Sequence, residues 1–436
     1  MTAEIAILNK HAVALAADSA VTLSRGQENQ KVFNSADKLF ELTCEAPIGV
    51  MVFNVLDFSE TPISVLVKDF RSKNPKFETV QQACDALLEY LRDFSQKSPD
   101  RIALENLKIT INPLIELIRD RYGSRVNEKI EDQAWLSEAA SSPENFRQRL
   151  SELLESIIRL VERIVRRLPD AEFIGDTDHL FDIIAPYLDE RMTEQTPSAS
   201  EEQRERIRQV VRTFINKIGE TEDVTGIVVA GYGTKELFPS LVHVELLGDF
   251  AGTLKFVRVE AVDIDRKGER SRVLPFAQRE MAERFLYGID ARVNELVTRF
   301  CQGTIASVPQ AIFDAIDFES DEQRSRLAEV AERAKSTFID RLRDEGLQEI
   351  RKISQRAVES MVEFMPKPDL ADFAEALVNL SSLQRRVSSG METVGGPVDV
   401  AVISKAEGFV WVKRKHYFPA ELNARYFDRL KCNTGG

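Results

Sequence analysis

Apolar residues alternate with others from the start of the chain. Ile5 and Ile7, then Val13 and Leu15, stand two apart, the period of a strand. Asn9-Lys10 separates the two runs, and Asn can supply the left-handed geometry of a tight hairpin turn. A second pair follows, Lys38-Leu-Phe-Glu-Leu42 and Ile48-Gly-Val-Met-Val-Phe53, joined by a loop containing Pro47. A second strand block spans 225–275, with the runs TGIVVAGYG, SLVHVELLG, TLKFVRVEAVDID and SRVLPF. A third, short block holds 395–403 and 408–413.

Between these blocks the apolar period becomes helical. Val80, Ala83, Leu87 and Leu91 recur on one helix face. Leu150, Leu154, Ile157, Ile158, Val161 and Val165 form a wide stripe, with Arg159, Arg163 and Arg166 elsewhere. That is an amphipathic helix, read as a bundle helix in preference to a membrane or partner surface. TEQTPSASEEQ, 193–203, is polar and holds Pro and Ser, which predicts a mobile loop. DIDRKGER, with Asp263, Asp265 and Gly268, faintly resembles a calcium loop. Its ligand spacing is incomplete and the closing Glu is missing, so a hairpin turn is expected. A second helical block covers 277–387.

Each strand block is too small to make its own core. The expected class is therefore α+β, with one sheet-containing core drawn from all three blocks. The helices between them cover that core or project from it.

Composition narrows the function. The chain has 436 residues and a formal net charge of −13. This argues against unaided nucleic-acid binding, which needs a basic footprint, and against anionic membrane surfaces. Lys413-Arg-Lys-His416 is read as a solvated strand end. The four cysteines, Cys44, Cys84, Cys301 and Cys432, form no CxxC pair, and the four histidines form no HExxH. Free thiols in a reducing compartment follow, with no metal or other cofactor expected. No signal peptide is visible and no run of about 18 apolar residues occurs, so the expected location is the cytoplasm.

The chemistry sits in the first block. Removal of Met1, efficient before a small residue, would leave Thr2 with a free α-amine beside its hydroxyl. Such an amine, with a pKa near ~8, can act as base for that hydroxyl. A Lys nearby would keep the amine neutral and stabilise developing negative charge. A carboxylate would hold the Lys in place. Asp18 ends the second strand of the first hairpin, and a tight turn returns that end to the start of the first strand. Lys38 heads the next strand pair, and Lys31 is the other candidate for the basic role.

These residues resemble a known family. Thr2, then Ala16-Ala17-Asp18-Ser19, Lys38-Leu-Phe-Glu-Leu42 and Ile48-Gly49-Val50-Met51 look like the opening of proteasome β-subunits and their bacterial relatives, the N-terminal-nucleophile (Ntn) hydrolases. Val394-Gly395-Gly396 before an apolar strand, with Gly408-Phe-Val-Trp after it, is similar to the family's C-terminal pattern. The resemblance implies a four-layer αββα sandwich with Thr2 as nucleophile and Asp18 and Lys38 in support. It implies an oxyanion site at Phe53 and Asn54, where the family has glycine. Ser19, Thr393, Gly395 and Gly396 would support the site. The family's Ser is replaced by Val394, and its other supporting Ser by Gln278 or by nothing.

Against the family, the helical sequence is in excess. The expected division is core at 1–97, helical insertion at 98–219, core at 220–289, helical insertion at 290–366 and core at 367–436. The expected activity is a threonine-type endopeptidase cleaving peptide bonds through an acyl-enzyme on Thr2. Alternatives are a non-peptidase amidase on the same fold, or an inactive scaffold whose helical insertions bind a partner. The expected partners are a peptide or protein substrate, further copies of the chain and a separate ATP-dependent unfoldase. The chain itself has no GxxxxGK[ST] phosphate loop.

Overall fold

A computed structural model of the chain describes residues 2–25, 29–74, 76–97, 100–133, 135, 137, 142–219, 224–315, 320–387, 395–425 and 428. It is a mixed α/β protein with several antiparallel sheets. The first block supplies β1 (Ala3–Asn9), β2 (Val13–Ala17), β3 (Val21–Arg25), β4 (Asn29–Phe33), β5 (Leu39–Glu41) and β6 (Ile48–Asn54). After the short strands β7 (Asp57–Phe58) and β8 (Thr61–Pro62) come α1 (Ile63–Lys73) and α2 (Val80–Ser95). α3 (Asp100–Glu131), α4 (Pro143–Arg167), β9 (Glu172–Ile174), α5 (Leu180–Gln195) and α6 (Glu201–Ile215) lead to the second strand block. That block is β10 (Thr225–Gly231), β11 (Ser240–Asp249), β12 (Leu254–Asp263) and β13 (Ser271–Ala277). Next are α7 (Glu280–Tyr287), α8 (Ala291–Asp314), α9 (Asp321–Arg341), a π-helical turn Leu342–Leu347, α10 (Gln348–Val362) and α11 (Lys367–Val387). β14 (Asp399–Ser404) and β15 (Gly408–Lys413) complete the strands.

One sheet has the order β13-β1-β2-β14-β15, a second β5-β6-β10-β11-β12-β9, and β3-β4 and β7-β8 form two-stranded sheets of their own. Strand alternation sorts the side chains of each sheet into two layers. Ala6, Leu8, Leu15 and Phe276 of the first sheet pack with Met51, Phe53, Val228 and Ala230 of the second. The opposite parity of β1, Ile5 and Ile7, packs on Leu286 of α7 and on Leu370, Ala374 and Leu377 of α11. Val50, Val52, Ile227 and Val229 of the second sheet pack on α1 and α2. The α3–α6 helices bury a cluster of their own, including Leu107, Ile158, Ile184 and Val211, which Phe250 joins from the strand block.

Three local expectations need correction. Asn9 is not left-handed, since the described non-glycine residues with positive φ are Asn54, Ser59, Glu60, Ala251 and Ala277. Its side chain makes the turn instead: Oδ1 accepts from the backbone of His11 and Ala12, and Nδ2 donates to the Val362 and Met365 carbonyls. The 263–271 connection is a turn, closed by Asp265 Oδ1 accepting from the Lys267 and Gly268 backbone. It is not a hairpin, because β12 and β13 belong to different sheets. The 193–203 segment is largely helix end and helix start. Ser200 and Gln203 form a capping box on α6, and Thr196 and Gln203 are buried.

Gly231 has φ 142°, and a Cβ there would lie 2.1 Å from the Pro47 carbonyl oxygen. Backbone meets backbone, so nothing can rotate aside. Gly231→Ala is expected to destabilise the protein by about 2 kcal/mol or more. A thermal melt followed by circular dichroism would show it, and an unchanged midpoint would refute it.

Candidate active site

Thr2 immediately precedes β1, and its carbonyl accepts from the Gln278 backbone N–H at 3.0 Å. The β1–β2 hairpin pairs Glu4 with Ala17, which brings the end of β2 back to the start of β1. The Asp18 N–H donates to the Ala3 carbonyl at 3.1 Å. The Ala3 N–H donates to Asp18 Oδ1 at 3.3 Å. Asp18 Oδ2 accepts from the Gly395 N–H at 3.0 Å. Two backbone donors from opposite ends of the sequence thus fix this carboxylate.

Lys38 arrives from the second sheet. It stands one residue before β5, and its carbonyl accepts from the Val52 N–H of β6 at 2.9 Å. Its side chain is fully buried and donates to Asp18 Oδ1 and to Glu4 Oε1, the latter at 3.0 Å. Lys31, the other candidate, lies in β4 opposite Leu23. The β3–β4 pair fills most of the interval between Asp18 and Lys38, which accounts for its length.

Glu4 is the residue that the sequence reading missed. Its Oε2 accepts from Thr2 Oγ1 at 3.2 Å, while Oε1 accepts from Lys38. The signal was present: Glu4 is the one charged residue in the strand AEIAILN, and it has the parity of Thr2. Two residues apart on a strand share a face. Burial pushes the Glu4 carboxyl up to about 7; Lys38 pulls it down, and the Asp18 carboxylate adds to the rise. One ammonium thus faces two carboxylates, and the unmatched carboxyl retains its proton near neutrality.

The remaining site candidates divide. Ser19 is buried; its N–H donates to the Gly395 carbonyl at 3.3 Å and its Oγ to the Pro397 carbonyl at 2.5 Å. Gly396 has φ 78°, and a Cβ there would meet Asn34. Thr393 lies outside the described residues. Phe53 is buried, with its ring 5.6 Å from those of His243 and Phe276. Asn54 is exposed, at φ 65°. Among the described residues, no hydrogen bond joins Phe53 or Asn54 to Thr2, Asp18 or Lys38. His243 is buried beside Phe53, and desolvation, aided by Arg279, lowers it to about 4, so it is neutral at pH 7.

Glu4 has a measurable linkage. Its native pKa lies above the ordinary 4.5, so the native state binds the proton more tightly than the unfolded chain. Its contribution is fully present below pH ~4.5 and is lost as pH rises to about 7, by about 3 kcal/mol. His243 acts oppositely, costing stability as pH falls from 6.5 towards about 4, and cancels when two proteins sharing it are compared. Denaturant unfolding of wild type and Glu4→Gln from pH 4 to 8 should give a difference that changes through this window. A difference independent of pH would disprove the shift.

No protein-family model and no curated protein matches the sequence. Among solved structures, the chain is similar to an Anbu (Gly-1) mutant from Hyphomicrobium sp. strain MC1. The identity is 9%, the TM-score is 0.26, and the match covers 99% of this chain and 96% of that one. The relation is a distant structural one.

Proposed function

We propose that this chain is an N-terminal threonine hydrolase cleaving peptide bonds, on a four-layer αββα core of the Ntn kind. The observation carrying this reading is the buried network from the Thr2 hydroxyl through Glu4 to Lys38 and Asp18.

Once Met1 is removed, the Thr2 amine takes the proton of Oγ as Oγ attacks the substrate carbonyl. The tetrahedral intermediate collapses, its C–N bond breaks, and the departing amine takes the proton. An ester on Thr2 remains. Water, losing a proton to the Thr2 amine, attacks that ester; the C–Oγ bond breaks, the Thr2 amine returns the proton to Oγ, and the acid and the free hydroxyl are released. Lys38 favours the neutral amine and the developing oxyanion, and Asp18 orients Lys38. Glu4 holds the Thr2 hydroxyl in register with Lys38. Backbone N–H groups at Phe53 and Asn54 are the proposed oxyanion donors. Ser19, Gly395 and Gly396 support the Asp18 loop, and Thr393 belongs to the same proposed set. Folded protein substrates would need a separate ATP-dependent unfoldase.

One observation favours a second reading. Thr2 is only 2% exposed, as suits an idle core acting as a scaffold for its helical insertions.

Intact mass and covalent labelling separate the two. The hydrolase reading expects native protein lacking Met1 and acylation of Thr2 by a peptidyl β-lactone. Thr2→Ala should abolish that labelling. Lys38→Ala, checked for folding by circular dichroism, should slow it by at least ~100-fold. Retained Met1, or labelling that survives Thr2→Ala, would sink the hydrolase and leave the scaffold. A peptide library run beside small amides then distinguishes a peptidase from an amidase.

A further inference from the structure

α8 and α9 form a helical pair with almost no buried residue. α8 contributes none and α9 only Ile339, and their main packing partners are each other and the π-helical turn. The connection from Ala315 to Ser320 spans about 20 Å at most. α8, with 24 residues, is about 36 Å long, so the two helices must run antiparallel.

Their inward positions are half-buried or buried: Cys301, Pro309 and Phe313 on α8, and Ala328, Ala331 and Ile339 on α9. Large exposed apolar residues stand immediately before each of them: Phe300, Val308 and Ile312 on α8, and Leu327, Val330 and Phe338 on α9. One step back along a helix is a rotation of about 100° in the same sense. On antiparallel helices that rotation carries both stripes to one side of the pair. The opposite side confirms the geometry. Residues one step after inward positions, Gln302, Ala306, Glu332, Ser336 and Asp340, line one groove together, and it is largely polar.

The apolar side is therefore a single two-helix face. Phe300 is 73% exposed and Val330 52%. No charged residue occurs from Phe300 to Phe313, in a chain that is 30% charged. One side of a helix pair about 20 Å wide and 36 Å long measures roughly 700 Å². A stable association buries about 800 Å² per partner.

We infer that this face of α8 and α9 binds the same face of a second copy, closing a four-helix bundle between two subunits. Two properties select a second copy as occupant. The area matches one subunit's share of a stable interface. The α8 side also carries no charge, so the face meets itself without the like-charge opposition that a chain of net charge −13 would otherwise impose. A partner recognised by charge would find nothing to read along α8 from Phe300 to Phe313. An isologous pairing closes on itself, which leaves the face covered and the polar groove outside. This inference does not depend on the hydrolase reading.

The test is mass in solution by size exclusion with light scattering, on the full chain over a hundredfold concentration range. Wild type should be a dimer or a multiple of one. Phe300→Glu with Phe338→Glu should halve the wild-type mass, and Val330→Lys alone should shift it towards that value. Gln302→Glu, on the polar side, should leave it unchanged. Unchanged helicity by circular dichroism shows that the variants fold. A monomeric wild type, or apolar-side variants with wild-type mass, overturns the inference; so does a face occupied only by a different protein.

Discussion

A fully buried ammonium is the constraint on which the centre of this molecule depends. Lys38 has no water to solvate it, so its charge must be met by protein. Asp18 and Glu4 meet it, and each is reached only if the fold is right. Asp18 requires the β1–β2 hairpin. Lys38 requires the β5–β6 pairing of the other sheet. The Gly395 donor requires the C-terminal strands to close against β2. Removing one member would leave a buried charge without its partner, a cost of about 3–5 kcal/mol.

The same charges set the chemistry. Two carboxylates around one ammonium cannot both be fully matched in a dry space, so one carboxyl holds its proton near pH 7. That carboxyl is Glu4, and it is also the group that receives the Thr2 hydroxyl. The site thus joins a hydroxyl, a titratable carboxyl and an anchored ion pair in one line. The neutral His243 and the rings of Phe53 and Phe276 lie together between the two sheets.

The two helical blocks solve the burial problem differently. α3 to α6 enclose a core, with ion pairs such as those of Arg206 to Glu155 and Glu162 along the helix contacts. α8 and α9 enclose almost nothing and keep an apolar side outward, uncharged along α8 from Phe300 to Phe313. A helix pair can be stable in that state only if its apolar side is covered or its apolar area is small. Here Phe300, Val308, Ile312, Leu327, Val330 and Phe338 all stand exposed on that side.

Local pattern was enough for much of this. Period-two alternation located β1 and β2, and strand-like apolar runs located β6, β10 and β11, since both signals are written in neighbouring residues. A tight turn between β1 and β2 was enough to place Asp18 beside Thr2. Parity alone could have marked Glu4 as sharing the face of Thr2. Other matters rest on contacts between distant segments, which no local period encodes. Lys31 and Lys38 are equivalent to a spacing argument, and only the pairing of β5 with β6 decides that Lys38 reaches Asp18. The turn at 263–271 reads as a hairpin until β13 pairs with β1, more than 260 residues away, instead of with β12. Asn9 reads as a left-handed turn residue until Val362 and Met365 arrive to accept its amide. The sequence by itself determined which residues form strands and which faces they share, because those follow from steric alternation. Tertiary structure alone decided which charges meet, because a buried ion pair is made by segments that only the finished sheets bring together.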